Sequence, residues 1–120
     1  MKRVLALLSL VCALFAVSAC HFDVNLSVDA DAQLFYPGSD VAIRLGPAHY
    51  EGFHHKHLTE YDLEDIFLDL TKHVKDNFTS AALHLAIYDD ISGKYLRDEN
   101  YAVVYDAYTG HYAFTDYDIL

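Results

Sequence analysis

The sequence predicts an α+β fold in which one amphipathic helix packs on one face of an antiparallel sheet of about six strands. Three observations lead to this prediction. Apolar and polar residues alternate in several short stretches, one segment carries apolar residues at helical spacing, and the C-terminal third contains two similar hairpin-like stretches. The predicted order is β-β-α-β-β-β-β. Because one helix cannot cover both faces of a sheet, we expect two layers.

The first two strands are predicted from an alternation with a period of two. Apolar residues occupy every second position of the first stretch, namely Phe22, Val24, Leu26 and Val28. The alternation weakens over residues 30–36, and the Pro37–Asp40 stretch is typical of a turn. The alternation resumes over residues 41–45, and Gly46-Pro47 is predicted to end the second strand.

The helix is predicted over residues 60 to about 77. Thr59 is a favourable N-cap, and Asp62 stands three residues later, as in a capping box. Leu58 and Leu63 occupy the two positions of a hydrophobic staple. The apolar stripe that should face the sheet consists of Leu63, Ile66, Phe67, Leu70 and Val74.

The remaining strands are predicted from a repeated pattern, Tyr-Asp-x-x-Ser/Thr-Gly-Lys/His-Tyr, at residues 88–95 and again seventeen residues later at 105–112. Asp and Gly in this spacing are typical of hairpin loops. A polar turn is expected at Asp98-Glu99-Asn100, which gives a four-strand meander over roughly 81–89, 94–97, 101–106 and 111–116.

In the third strand, Leu83, Leu85 and Ile87 should face the helix, while His84 and Tyr88 should lie on the other side. A second architecture is compatible with the same elements. The stretch Phe35–Val41 resembles a strand-turn-strand segment of immunoglobulin-like domains, so the alternative is such a β-sandwich with an inserted helix.

The N-terminus has the composition of an export signal. Met1-Lys2-Arg3 is cationic, and the apolar segment Val4–Val17 is shorter than the roughly twenty residues that span a bilayer. It ends in Val17-Ser18-Ala19-Cys20, which resembles the lipobox of bacterial lipoproteins. Cleavage is expected after Ala19, which separates a signal peptide (1–19) from a single globular domain (20–120).

The lipoprotein resemblance implies that Cys20 receives a diacylglyceryl group and that the new N-terminus is acylated as well. Two acyl chains are enough for stable anchoring. Cys20 is the only cysteine after cleavage, so the domain has no internal disulfide. The next residue is His21, not the Asp of an inner-membrane retention signal, so the resemblance favours the outer membrane in a Gram-negative host.

The net charge argues against two classes of partner. Without Lys2 and Arg3 the chain has six basic and eighteen acidic residues, a net charge of −12. Such a surface repels nucleic acid and anionic headgroups and favours a basic protein surface or cationic ligands.

A histidine-rich segment is the strongest candidate for a metal-binding site. Imidazole and carboxylate are good ligands for zinc, copper or nickel. The candidate ligands are His54, His55 and His57, completed by His49, Glu51 or Glu60. The alternative is an exposed polar loop that leads into the helix.

Tyrosine is unusually frequent, with ten residues of which seven follow residue 85. A sheet face that carries Tyr side chains can bind a peptide, a glycan or a protein, or it can simply hold cross-strand pairs. The candidate binding residues are Tyr88, Tyr101, Tyr105 and Tyr112.

The sequence contains no nucleophile elbow and no phosphate-binding loop. The expected function is therefore that of a non-enzymatic, lipid-anchored accessory protein that binds another envelope component, and the alternative is a metal-binding envelope protein.

Overall fold

The computed structural model describes residues 24–38, 40–75 and 77–116. The elements in chain order are β1 (Leu26–Phe35), β2 (Ile43–Phe53), α1 (Glu60–Thr71), β3 (Ser80–Asp89), β4 (Tyr95–Asp106) and β5 (His111–Asp116). The strands form one sheet in the order β2-β1-β3-β4-β5, and every neighbouring pair is antiparallel. The α+β class is confirmed. The described strands number five, not six, and they form one sheet, not the two of an immunoglobulin-like sandwich.

The missing sixth strand results from a wrong turn prediction at Asp98-Glu99-Asn100. These residues lie inside β4 and pair in register with Ala86, Leu85 and His84 of β3. The polar composition suggested a turn, but each side chain has a favourable place in a strand. Asp98 and Asn100 lie on the face away from the helix, and Glu99 accepts a hydrogen bond from Arg97 at 2.8 Å. Pairing with a long neighbouring strand therefore outweighs the local turn propensity.

Strand β1 is also longer than its apolar alternation indicated. The first described residues are Val24 and Asn25, so the predicted start of this strand at Phe22 lies outside the described residues. At its other end the strand continues to Phe35, because Ala30, Ala32 and Leu34 keep the alternation and are fully buried or nearly so. Alanine is a weak strand former, which is why the pattern was weak in the sequence.

Strand β2 continues through Gly46-Pro47, which was predicted to end it. The strand accommodates these residues as a bulge, since Ala30 pairs with Ala48 whereas Ala32 pairs with Leu45. Gly46 has φ +91°, and a Cβ atom at this position would lie 2.7 Å from the carbonyl oxygen of Ala30. Glycine is therefore required here for both its conformation and its size.

The start of α1 follows the prediction. The Thr59 hydroxyl accepts a hydrogen bond from the Asp62 amide at 3.1 Å, and the Asp62 carboxylate accepts one from the Thr59 amide at 3.0 Å. These reciprocal bonds form the capping box. The helix ends at Thr71, earlier than the predicted residue 77. Beyond the helix, Val74 and Phe78 lie in the connection to β3 and pack against the core.

The hydrophobic core fills the space between α1 and one face of the sheet. It contains, as predicted, Leu83, Leu85 and Ile87 from β3, together with apolar residues of β1 and of the helix. Phe67 lies at its centre, fully buried, with its ring 4.9 Å from Tyr112, 5.9 Å from Phe78 and 6.2 Å from Phe114. Edge-on and tilted ring pairs of this kind add to the stability that burial supplies.

Both predicted hairpin loops are present and have the same hydrogen bonds. The carboxylate of Asp89 accepts from the Ile91 amide, and that of Asp106 accepts from the Tyr108 amide, both at 2.9 Å. Four residues after each Asp, a glycine with φ near +72° donates its amide to the Asp carbonyl. The repeated sequence pattern therefore forms the same kind of turn in both hairpins.

Replacing Gly46 with Ala tests the close approach in the β2 bulge. An alanine in a left-handed backbone conformation costs roughly 1–2 kcal/mol. We expect Gly46→Ala to lower the free energy of unfolding by clearly more than this, because the new Cβ atom also clashes with the carbonyl oxygen of Ala30. Gly52→Ala is the matched control, since Gly52 has the same φ of +91° and open space around it. Urea unfolding gives both free energies, and equal losses would contradict the steric explanation.

Candidate functional site

One face of the sheet is covered by α1, and the opposite face, which we call the open face, carries polar side chains. Because side chains alternate along a strand, the open face receives the residues between the buried positions. Its central members are Asp29, Asp31 and Gln33 of β1, His49 of β2, Ala82, His84, Ala86 and Tyr88 of β3, and Asp98, Asn100 and Ala102 of β4.

His49 is held between two carboxylates at one side of the open face. Its Nδ1 lies 2.8 Å from Oδ1 of Asp29, its register partner on β1, and its Nε2 lies 3.1 Å from Oε1 of Glu51. The hydrogen bond with Asp29 is the main cause that raises the pKa of His49 above 6.5; desolvation opposes this increase, and the hydrogen bond with Glu51 adds to it. Protonated imidazole donates from both nitrogens, which suits this geometry.

His84 has a similar arrangement at the centre of the sheet. Its Nδ1 lies 2.6 Å from Oδ1 of Asp31, its register partner on β1, and its Nε2 lies 3.6 Å from Oδ1 of Asp98 on β4. The two carboxylate–imidazole–carboxylate groups are thus built on Asp29 and Asp31, which are neighbours on the same face of β1. We call these six residues the acid–histidine groups.

The acid–histidine groups are accessible to a partner. Between 38% and 63% of each of their side chains is exposed. Exposed ion pairs contribute about 0–1 kcal/mol each, so these residues do little to hold the fold together. A shallow depression of about 270 Å³ lies beside His49, bordered by Ser27, Tyr88 and Asp90.

The predicted tyrosine set does not lie on one face. Tyr101, Tyr105 and Tyr112 are on the helix side, where Tyr112 packs against Phe67, whereas Tyr88 is on the open face. Each hairpin has its own cross-strand pair, with ring centroids 5.7 Å apart for Tyr88–Tyr95 and 5.5 Å apart for Tyr105–Tyr112. Burial and the hydrogen bond to Glu99 raise the pKa of Tyr101, which therefore stays protonated.

The predicted metal ligands are not brought together. His49 lies within β2, in the first acid–histidine group with Glu51, while His54 contacts Asn25 through Nδ1 at 2.8 Å and His55 and His57 are exposed. Over residues 24–38, 40–75 and 77–116, no three His, Cys, Asp or Glu side chains are placed to hold a metal ion. The geometry therefore gives the metal hypothesis no support. Cys20, the predicted lipidation site, lies outside the described residues.

A third histidine, His111, lies at the far side of the molecule beside α1. Its Nδ1 is 3.0 Å from Oε1 of Glu64, and the two border a cleft of about 270 Å³ with Glu60 and Asp106. Sequence reasoning missed this cleft and most of the acid–histidine groups. For the latter, the sequence placed His84 on the face away from the helix and grouped His49 with Glu51, but it gave no signal for their contacts with Asp29, Asp31 and Asp98.

Comparison with known proteins identifies no relative: no family model, no curated protein and no solved structure matches the chain. Within the described residues, no helix is long and apolar enough to cross a bilayer.

The titration of His49 tests the first acid–histidine group. We expect Asp29→Asn to lower the pKa of His49 towards 6.5, because the raised pKa depends chiefly on the Asp29 carboxylate. Since the folded-state pKa is raised, this pair stabilises the fold below pH 6.5, and the contribution is lost as pH rises through the folded pKa. Proton NMR of the imidazole gives the pKa. Asp31→Asn, two residues along β1, is the control that should leave it unchanged.

Proposed function

We propose that this chain is a non-enzymatic, lipid-anchored protein of the bacterial cell envelope that binds another envelope protein through its open face. The observation that carries the proposal is the pair of acid–histidine groups, which places four carboxylates on one accessible surface. These residues contribute little to stability, so a binding role accounts for them better than a structural one.

The charge of the open face indicates the kind of partner. The open face also carries Arg44, the register partner of Gln33, but the four carboxylates of Asp29, Asp31, Glu51 and Asp98 outnumber it. The whole chain has a net charge of −10. A partner surface that presents Lys or Arg side chains complements this face. Exposed charges attract over about 8–10 Å at physiological salt, so the complex should weaken as salt concentration rises.

The same geometry argues against hydrolytic chemistry at His49. Both of its ring nitrogens lie next to carboxylates, so neither is free to accept a proton from a nucleophile. The alternative of a metal-binding envelope protein has no geometric observation in its favour among the described residues.

Anchoring is supported by the sequence alone. The lipobox-like stretch ends at Cys20, and only four residues separate Cys20 from Asn25, next to the start of β1. The outer membrane is the proposed location in a host that has one, because His21 follows the cysteine.

Replacing the two cysteines separately tests the anchor. We expect Cys20→Ala to lose incorporation of labelled fatty acid and to leave the membrane fraction, because the acylated thiol is gone. Cys12→Ala, within the predicted signal peptide, is the control that should remain anchored. A Cys20→Ala protein that stays fully membrane-bound would contradict lipid anchoring.

Photo-crosslinking in intact cells tests the binding face. A photoreactive residue in place of Gln33, on the open face next to Asp31, should form one adduct of defined mass. The same residue in place of Leu68, which is 45% exposed on the helix, should not.

The adduct at position 33 should decrease when Asp29, Asp31 and Asp98 are all changed to Asn, and also at high salt. Circular dichroism checks that this triple variant is folded. If both positions react equally, or if the triple variant crosslinks like the wild type, the open face is not the binding surface.

A further inference from the structure

The described chain starts at one particular end of the sheet, and two loops meet it there. The carbonyl oxygen of Asn25 accepts a hydrogen bond from the Asp90 amide at 2.9 Å, in the β3–β4 loop. The side chain of Asn25 contacts Nδ1 of His54 at 2.8 Å, in the loop that follows β2. We call the surface formed by residues 54–58 and 90–94 the anchor end.

The anchor end differs in composition from the acidic open face. It carries three of the eight histidines and two exposed lysines, Lys56 and Lys94. Its acidic residues are Asp90 and the neighbouring Asp89, whose carboxylate accepts hydrogen bonds from two loop amides. The tip of the loop is Ile91, which is 73% exposed. An exposed apolar tip on a surface that also carries lysines suits the boundary between lipid headgroups and acyl chains.

The length of the stretch between Cys20 and Asn25 decides which end of the sheet can reach the bilayer. Five residue steps from Cys20 to Asn25 span at most about 18 Å, since an extended chain covers about 3.3–3.6 Å per residue. Strand β1 has ten residues, which places the two ends of the sheet roughly 30 Å apart. If the far end touched the bilayer, Cys20 could not be inserted in it.

We propose that the anchor end is the membrane-contacting surface of this protein, with Ile91 in the headgroup region and the strands directed away from the bilayer. The inference rests on the proposed lipid anchor at Cys20. It places the open face roughly perpendicular to the membrane, where a partner in the envelope can reach it.

The chain contains no tryptophan, so a single introduced Trp reports its own surroundings. Ile91→Trp and Tyr108→Trp are matched variants, because the two residues occupy the same position of the two hairpin loops and both are largely exposed. Leu68→Trp reports the outer side of the helix. Each lipidated protein is reconstituted into vesicles of phosphatidylethanolamine and phosphatidylglycerol, with and without brominated acyl chains.

We expect the Ile91→Trp emission to shift to shorter wavelength and to be quenched by brominated lipid, while the Tyr108→Trp and Leu68→Trp emissions stay unchanged. Quenching at Leu68 would mean that the protein lies on its side, and equal quenching or none at positions 91 and 108 would mean that the anchor end does not face the bilayer. Either result overturns the inference. Vesicle flotation separates these outcomes from failure of the anchor itself, because a protein without lipid would not float with the vesicles.

Discussion

The register between β1 and β3 is the constraint on which the rest of the structure depends. All ten residues of β1 pair with β3, from Leu26 opposite Asp89 to Phe35 opposite Ser80. In this register the buried residues Val28, Ala30, Ala32 and Leu34 of β1 face the helix side together with apolar partners on β3, and Asp31 meets His84 on the open face. A slip by one residue would turn Asp29 and Asp31 into the core. Because burying unpaired carboxylates is far more costly than losing a few strand hydrogen bonds, one register is selected.

The same register explains why the core is asymmetric. Ala30 and Ala32 of β1 are, with Ala81 of β3, the smallest side chains among the buried core residues. A cluster of aromatic side chains lies on the β5 side, where Phe67 meets Phe78, Tyr112 and Phe114. With alanines on the central strands and this aromatic cluster on the β5 side, one helix covers one face of the five-stranded sheet.

These features also show which parts of the fold and of the candidate site could be predicted from the sequence. The helix start, the β3 faces and both hairpin loops could be predicted, because each depends on residues close together in the chain, such as Thr59 with Asp62. The continuity of β4 through Asp98–Asn100 could not, since it depends on pairing with β3. The acid–histidine groups were missed for the same reason: Asp31 and His84 are 53 residues apart and meet only through the strand register. The candidate tyrosines were grouped by their position in the sequence, whereas Tyr88 and Tyr101 lie on different faces of the sheet.

The two hairpin loops show that a repeated sequence does not by itself repeat a role. Their turns have the same hydrogen bonds, yet Tyr112 of the second pattern packs under the helix against Phe67, whereas Tyr95 at the corresponding position of the first is half exposed. The loops also lie at opposite ends of the sheet, since β4 runs from one to the other. Only the first lies beside Asn25 and therefore beside the start of the described chain. If a lipid holds the chain at Cys20, the five residue steps from Cys20 to Asn25 are short enough to keep the first loop close to the membrane. The second loop lies at the opposite end of the sheet, so two loops with the same local chemistry have different surroundings.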